Sequence, residues 1–269
     1  MGVRPQKPHE YIDTVLQRLL NAAIKPDFTL PLRISQCAVC RSWPARQVCA
    51  PCIARFAAPV LRCRACALAL PADLSMGLRS PPGLCAGCIK QHPPLDATLV
   101  AVPYSYPWSE LITRYKFGER PGWAPFFAEL LLQAPGVQQA FDALQAGDLI
   151  LPMPLSDQRL QSRGFNQAWE LACALTRQSH SVATTDARLL LRVKHTRPQT
   201  ELQRDARLAN VRGAFQVDPL RMTELAGRRV ILVDDVITSG ASLFTAAQIL
   251  RTAGAAHVTG LAIARTAAT

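Results

Sequence analysis

The sequence predicts an α/β fold, in which a parallel sheet is flanked by helices, preceded by a cysteine-rich module. Apolar, β-branched runs alternate with helical stretches after about residue 95, which is typical of a parallel sheet. Eight of the nine cysteines lie before residue 89, in a segment with little apolar periodicity. We therefore divide the 269-residue chain into an N-terminal extension (1–34), a metal-binding module (35–92) and an α/β domain (93–269).

The order of the elements follows from the apolar pattern. The run 230–233 is wholly apolar and β-branched or leucine, which predicts a strand buried on both faces. The segment 196–213 is polar and highly charged and predicts a loop. We expect strands over 96–106, 148–151, 189–193, 214–217, 230–233 and 258–264, and helices over 10–23, 108–117, 124–133, 166–178 and 241–253.

Composition limits the classes of function. With 49% hydrophobic residues the chain can bury a core, and its formal net charge of +11 favours phosphates, nucleotides or nucleic acid as partners. No apolar run approaches the roughly 20 residues of a membrane span. The polar N-terminus also lacks the apolar segment of a secretory signal, so we expect no membrane insertion and a cytoplasmic location.

The cysteines form four C-x-x-C pairs. Two thiolates of one tight turn bind a single ion, and two such turns complete a tetrahedron. Eight thiolates therefore predict two structural zinc ions, with adjacent and interleaved pairing both open; an iron–sulfur cluster and a ligand role for His92 are the alternatives. The predicted metal ligands are Cys37, Cys40, Cys49, Cys52, Cys63, Cys66, Cys85 and Cys88.

A second motif joins the strand 230–233 to the next helix. Asp234 and Asp235 follow the strand, and a turn with hydroxyls and a glycine then opens the helix: Thr238, Ser239, Gly240, Ala241 and Ser242. Backbone amides at a helix start bind phosphate. The carboxylates would repel a phosphate but suit ribose hydroxyls and a magnesium ion. The alternative is an ordinary strand–turn–helix with a solvated acidic pair.

The string 230–242 resembles the phosphoribosyl pyrophosphate (PRPP) fingerprint of type I phosphoribosyltransferases, with Thr-Ser-Gly where Thr-Thr-Gly is usual. Three other segments, 115–118, 152–167 and 196–215, occur in a matching order with the cysteine module. Together they resemble the ComF/GntX family, which joins a double zinc ribbon to a type I phosphoribosyltransferase domain. The resemblance covers about residues 35–266 and makes 35–92 a double zinc ribbon.

The resemblance implies roles for the remaining site residues. Asp234 and Asp235 would hold the ribose and 238–242 its phosphate, while the turn with Pro154 and Leu155 would contact the pyrophosphate. A loop over about 194–212 would close on PRPP and bring Arg207 to the leaving group. Magnesium would bind with PRPP. The implied activity is phosphoribosyl transfer to an unidentified acceptor, in nucleotide metabolism or DNA uptake and utilisation. The alternatives are a non-catalytic protein that binds single-stranded DNA or the competence machinery, and a PRPP-sensing regulator.

Overall fold

The computed structural model describes residues 35–71, 83–117, 121–193 and 213–267. Within them the strands are β1 (Ala97–Pro103), β2 (Leu149–Pro152), β3 (Thr184–Thr185), β4 (Leu190–Arg192), β5 (Phe215–Val217), β6 (Arg229–Ile237) and β7 (His257–Arg265). The helices are α1 (Ala50–Phe56), α2 (Ala86–Lys90), α3 (Trp108–Phe117), α4 (Ala124–Leu132), α5 (Val137–Asp142), α6 (Asp157–Arg163), α7 (Gln167–Gln178) and α8 (Ala241–Thr252). Short 3-10 turns lie at Pro121–Trp123 and Met222–Leu225.

Five strands form one parallel sheet in the order β1-β7-β6-β2-β3. β4 and β5 pair separately as an antiparallel ribbon. The predicted α/β fold with a parallel sheet is therefore confirmed. β6 and β7 are the longest strands and occupy the middle of the sheet, where both faces are covered.

Each face of the sheet packs in a separate apolar core. Ile231 and Val233 of β6 pack with the helices α3, α4 and α7 on one face. Val230 and Leu232 pack with α8 and the β4–β5 ribbon on the other face. Successive side chains of a strand point to opposite faces, so an uninterrupted apolar run fills both cores.

The cysteine-rich segment attaches to the α/β part at two places. Near its first half, the indole Nε1 of Trp108 in α3 donates to the carbonyl of Phe56 at 2.7 Å. Near its second half, the hydroxyl of Thr98 in β1 donates to the carbonyl of Ala65 at 2.7 Å. The segment therefore contacts a helical face through one half and an edge strand through the other.

The structure corrects the ends of two predicted strands. The strand expected over 96–106 ends earlier, at Pro103. The strand expected to end at residue 233 continues to Ile237, because pairing with β7 extends to the Ile237–Arg265 register. Asp234 and Asp235 thus lie inside β6 and not after it. On the other side, β2 ends opposite Val233, so the acidic pair lies just beyond the end of that neighbour.

Smaller elements were not expected from the sequence, namely α1, α2, α5, α6 and the two-residue β3. The predicted helix over 10–23 lies outside the described residues. The boundaries at residues 34 and 92 stay predictions. Across the described ranges, every helix is too short or too polar to cross a membrane.

Candidate functional site

The acidic pair of β6 has a cationic partner from α3. The Asp235 carboxylate is buried, and its Oδ1 lies 2.9 Å from the Nζ of Lys116 in the last turn of that helix. Both side chains are largely shielded from water, which strengthens their attraction relative to a surface pair. Sequence reasoning missed this role of Lys116, although the residue stands in the Tyr-Lys-Phe-Gly segment that resembles the family.

Asp234 has a strongly raised pKa. Burial and the neighbouring Asp235 carboxylate raise the pKa of Asp234 to about 7, while Lys116 opposes the rise. Its Oδ1 also accepts the backbone N–H of Asp235 at 2.8 Å. Near neutral pH Asp234 is therefore close to half protonated, and a ligand that needs the carboxylate must compete with a proton.

Three arginines add positive charge around the pair. Arg163, at the end of α6, interacts with the charges of both carboxylates and of Arg159, and burial lowers its pKa. Burial and the positive charge of Arg159 lower the pKa of Arg192, in β4, to about 10, while Asp234 raises it. Partly buried cations repel one another, and a bound anion would relieve that repulsion.

Nearby aromatic and amide groups fix the direction of two of these arginines. The Arg163 guanidinium lies 4.8 Å from the centroid of the Phe117 ring and donates to the Gln167 Oε1 at 3.0 Å. The Arg192 guanidinium lies 5.3 Å from the ring centroid of Phe215. These contacts help to hold the two guanidinium groups in place.

The hydroxyl-rich turn connects β6 directly to α8. Only Thr238, Ser239 and Gly240 separate strand from helix, and the residues at 238 and 239 are half-buried. Gly240 has a φ of +84° and caps the helix, and a Cβ there would meet the Phe244 ring at 2.5 Å. Glycine is therefore required on both conformational and steric grounds. Three residues after the end of β6, the N-terminal amides of α8 begin.

A second loop approaches the same end of the sheet. The N–H of Met153 donates to the Val233 carbonyl at 2.7 Å, which places the following Pro154 and Leu155 beside the start of the acidic pair. The Ser156 hydroxyl in this loop is buried and has no hydrogen-bond partner among the described residues. A buried hydroxyl without a partner is costly, so it marks a place where a polar ligand would be stabilised.

One predicted site residue lies outside the described residues, namely Arg207. The residues predicted for ribose, phosphate and pyrophosphate lie near the carboxyl end of β6 or in the loop after β2. Lys116, Arg163 and Arg192 interact electrostatically with the acidic pair there. Arg163 belongs to a segment that carries the family resemblance, but its approach to the acidic pair depends on tertiary packing. Arg192 has no signal in the sequence beyond its position at a strand end.

The eight paired cysteines form two groups, which we call the first and second cysteine groups. The first comprises Cys37, Cys40, Cys49 and Cys52, and the second Cys63, Cys66, Cys85 and Cys88. Pairing is therefore adjacent and not interleaved. In each group the four Sγ atoms lie within 4.8 Å of one another, and one pair in each lies 3.6 Å apart. A tetrahedral zinc site with Zn–S bonds of about 2.3 Å has S–S edges of about 3.8 Å, so each group fits a metal ion.

Electrostatics within the groups favour thiolates at specific positions. The Sγ of Cys37 accepts backbone N–H groups from Val39 at 3.4 Å and Cys49 at 3.3 Å. The side chain of Cys66 lowers the pKa of Cys63 to about 4. Donors that point at a sulfur stabilise its anion, which is the form that binds a metal.

Known proteins resemble this chain over about two thirds of its length. No family model matches the chain. The DNA utilization protein YhgH of Escherichia coli K12 is 32% identical over 182 residues, which is 68% of this chain and 78% of that protein. Competence protein F of Haemophilus influenzae is 34% identical over 181 residues, 67% of this chain and 78% of that protein.

A Bacillus subtilis relative, competence protein ComFC, is 31% identical over 118 residues, 44% of each chain. A crystal structure of TT1426 from Thermus thermophilus covers 56% of this chain and 84% of its own, with 15% identity. Its TM-score of 0.30 is too low to establish a common fold. The identity and coverage of the competence and DNA utilization relatives, with two cysteine groups ahead of a parallel sheet, show that this chain belongs to the ComF family.

Proposed function

We propose that this chain binds PRPP, or a related ribose 5-phosphate compound, at the carboxyl end of β6 and transfers its phosphoribosyl group to an acceptor. Asp234 and Asp235 would bind the ribose hydroxyls. The turn 238–242 would bind the 5-phosphate through the amides at the start of α8. The loop with Pro154, Leu155 and the Ser156 hydroxyl would contact the pyrophosphate.

The observation that carries this proposal is the set of cations that interacts with the acidic pair. Lys116, Arg163 and Arg192 approach two carboxylates, one of which titrates near neutral pH. Such a set places cations and carboxylates side by side. A sugar with hydroxyls for the carboxylates and phosphates for the cations satisfies both kinds of charge at once.

The chemistry follows from that distribution. The bond between C1 of the ribose and the pyrophosphate oxygen breaks, and its electron pair leaves on pyrophosphate beside the arginines. A lone pair of the acceptor, commonly a base nitrogen, forms the new bond to C1, and the acceptor then loses a proton. Magnesium bound with PRPP would neutralise further charge on the leaving group. Catalysis would come from positioning and electrostatic stabilisation, and Arg207 stays a predicted contributor.

In the same proposal the two cysteine groups hold one zinc ion each. Four thiolates leave no open coordination position, so the ions would be structural and not catalytic. Structural zinc contributes folding free energy, which a segment with so small an apolar core requires. Eight thiolates in metal sites also favour a reducing compartment, which agrees with the predicted cytoplasmic location.

Binding of PRPP to a double variant tests the site. Asp234→Asn together with Asp235→Asn should abolish PRPP binding in calorimetry with magnesium, because neutral amides cannot accept the ribose hydroxyls as strongly. The matched control is Glu110→Gln with Asp142→Asn, which removes the same charge from exposed positions on α3 and α5. The control should bind as the wild type does. Equal binding by the acidic-pair variant would refute the proposal.

Release of pyrophosphate separates an enzyme from a regulator. Wild-type protein is incubated with PRPP, magnesium and a panel of purine, pyrimidine and amine acceptors. A transferase should release pyrophosphate with at least one acceptor, and the acidic-pair variant should not. A chain that binds PRPP without any release would instead be a PRPP-sensing regulator.

A second candidate function is binding of single-stranded DNA. The relatives named for DNA utilization and competence favour it, and so does one exposed cluster. There the Arg55 guanidinium lies 5.1 Å from the Phe56 ring centroid, and that ring lies 5.8 Å from the ring of Tyr106, which is 57% exposed. Aromatic rings beside cations stack on unpaired bases. The names of the same relatives also favour a third function, binding to a protein of the competence machinery.

A labelled oligonucleotide tests the DNA proposal. Affinity should fall as salt rises, and Arg55→Ala with Tyr106→Ala should weaken it by roughly tenfold. The control is Ile89→Ala with Lys90→Ala, which removes an exposed hydrophobic and an exposed cationic side chain from α2. No binding, or binding that does not respond to salt, would exclude DNA as a ligand.

A further inference from the structure

One buried arginine connects the second cysteine group to the turn 238–242. Arg265 is the last residue of β7 and is 8% exposed. Its Nε donates to the backbone carbonyl of Cys66 at 3.0 Å. Its Nη1 donates to the carbonyls of Ile237, at 3.2 Å, and of Thr238. A single guanidinium therefore ties a cysteine turn to the first residue of the hydroxyl-rich turn.

An aromatic ring makes a second connection between the same two regions. Phe244, in the first turns of α8, packs against the buried members of the second cysteine group. The same ring fills the space beside Gly240, where a Cβ would lie 2.5 Å from it. The turn 238–242 therefore packs, through Phe244, against the second cysteine group.

We propose that Arg265 is a positioning residue, through which a metal-loaded second cysteine group sets the conformation of the turn 238–242 for phosphate binding. The inference rests on the proposed function of that turn. It assigns the second group a task beyond folding its own segment, namely to make phosphate affinity depend on metal at Cys63, Cys66, Cys85 and Cys88.

The geometry of a peptide bond gives the mechanism. In a planar trans peptide the carbonyl and the next N–H point in opposite directions. Arg265 binds the Thr238 carbonyl, so the N–H of Ser239 is directed away from Arg265. If the carbonyl were released, the peptide could rotate and present oxygen, not N–H, to an anion. Such a rotation would exchange attraction for repulsion at the phosphate.

A metal ion in the second cysteine group would affect Arg265 through its other contact, the hydrogen bond to the Cys66 carbonyl. Cys66 belongs to a tight turn that two thiolates and their ion would hold rigid. Without the ion the Cys66 carbonyl would lose its fixed place, and Arg265 would lose an acceptor that helps to orient it. The Phe244 ring would lose part of its packing at the same time.

Arg265→Gln tests the proposal, because it shortens the side chain and removes the fork of donors. The matched control is Thr98→Val, which removes the hydrogen bond to Ala65 in the same cysteine turn but makes no change at residues 238–242. Three quantities are measured on the full chain: zinc content, hydrogen exchange of the peptide covering 238–244 without ligand, and PRPP affinity. Arg265→Lys, which keeps the charge, is measured as well.

For Arg265→Gln we expect two zinc ions per chain, at least tenfold faster exchange in the peptide and at least tenfold weaker PRPP binding. Arg265→Lys should fall between that variant and the wild type, and Thr98→Val should match the wild type in exchange and affinity. Unchanged exchange in Arg265→Gln would overturn the proposal. Faster exchange in a protein whose wild type binds no PRPP would remove the proposed function but leave Arg265 as the residue that holds the turn.

Discussion

The two cysteine groups share their chemistry and differ in what they contact. The first group packs against the helical face of the sheet, where Trp108 donates to Phe56 and Arg46 pairs with Glu129 at 2.8 Å. The second group lies beside β1 and β7, where Thr98 and Arg265 donate to the backbone carbonyls of Ala65 and Cys66. Only the second contact continues, through Arg265, to the turn 238–242 in the described part of the chain.

This difference shows that identical metal sites in one segment serve different purposes. Loss of metal from the first group should loosen an attachment to α3 and α4, with consequences for stability alone. Loss from the second group should reach the phosphate turn as well. The comparison can be tested because the groups contain equivalent cysteines.

The largest effect should come from replacing one such equivalent in each group. Cys49 and Cys85 each cap the short helix after their turn, and both are half-buried. Cys49→Ser and Cys85→Ser should each lose about one zinc per chain and several kcal/mol of stability. Only Cys85→Ser should also weaken PRPP binding, by roughly tenfold or more. Zinc content, thermal unfolding and calorimetry measure the three quantities.

The two cysteine variants are controls for each other, since each loses one metal ligand of the same type. Equal loss of PRPP affinity in both variants would mean that the groups do not differ in this respect. Measurement well below the unfolding temperature of each variant keeps affinity separate from stability.

A smaller effect should follow from cutting the attachment of the first group. Trp108→Phe removes the indole donor and leaves the Phe56 carbonyl without that partner, in addition to some packing volume. The expected loss is on the order of 2 kcal/mol in urea unfolding. Affinity for PRPP should stay as in the wild type. A clear loss of affinity would show that the first attachment also supports the site.

Sequence patterns predicted most of the secondary structure but not the contacts between distant segments. Local patterns predicted the parallel sheet, the helix 108–117 and the four C-x-x-C pairs, because strand runs and C-x-x-C spacing are local properties. The spacing leaves open whether the pairs group adjacently or interleaved, because that depends on the fold. The end of β6 was predicted too early, since polar Asp234 and Asp235 end an apolar run but do not end the pairing with β7. Pairing with a buried neighbour strand is not visible in single-sequence patterns.

The missed residues are those that reach the site from elsewhere in the chain. Lys116 lies far before Asp235 in the sequence, and nothing in its local pattern marks it as a partner. Arg265 ends an apolar strand and resembles an ordinary terminal cation, yet it is buried and contacts both Cys66 and Thr238. Such contacts follow from topology, which places β7 between β1 and β6.

The smallest expected effect is a change in the pKa of Asp234, which tests whether the turn 238–242 and the acidic pair respond to different residues. Arg265 contacts the turn, whereas the positive charge of Lys116 lowers the pKa of Asp234. Lys116→Met should therefore raise the pKa of Asp234 above its value of about 7. Cys85→Ser should leave that pKa unchanged. A carbon-13 NMR titration of the aspartate carboxyls measures both, with Lys90→Met as the control for loss of an exposed lysine.

The direction of the pH dependence follows from the raised pKa. Asp234 binds its proton more tightly in the folded than in the unfolded chain, so its contribution to stability is present below about pH 3.8 and is lost as pH rises to about 7. Binding of a ribose hydroxyl by the carboxylate should strengthen over the upper part of the same range. In Lys116→Met both changes should move to higher pH, because Asp234 has lost the cation that lowers its pKa most. If Cys85→Ser moved them as far, metal at the second group would control the acidic pair as well as the turn, and the proposed division between the two regions would be wrong.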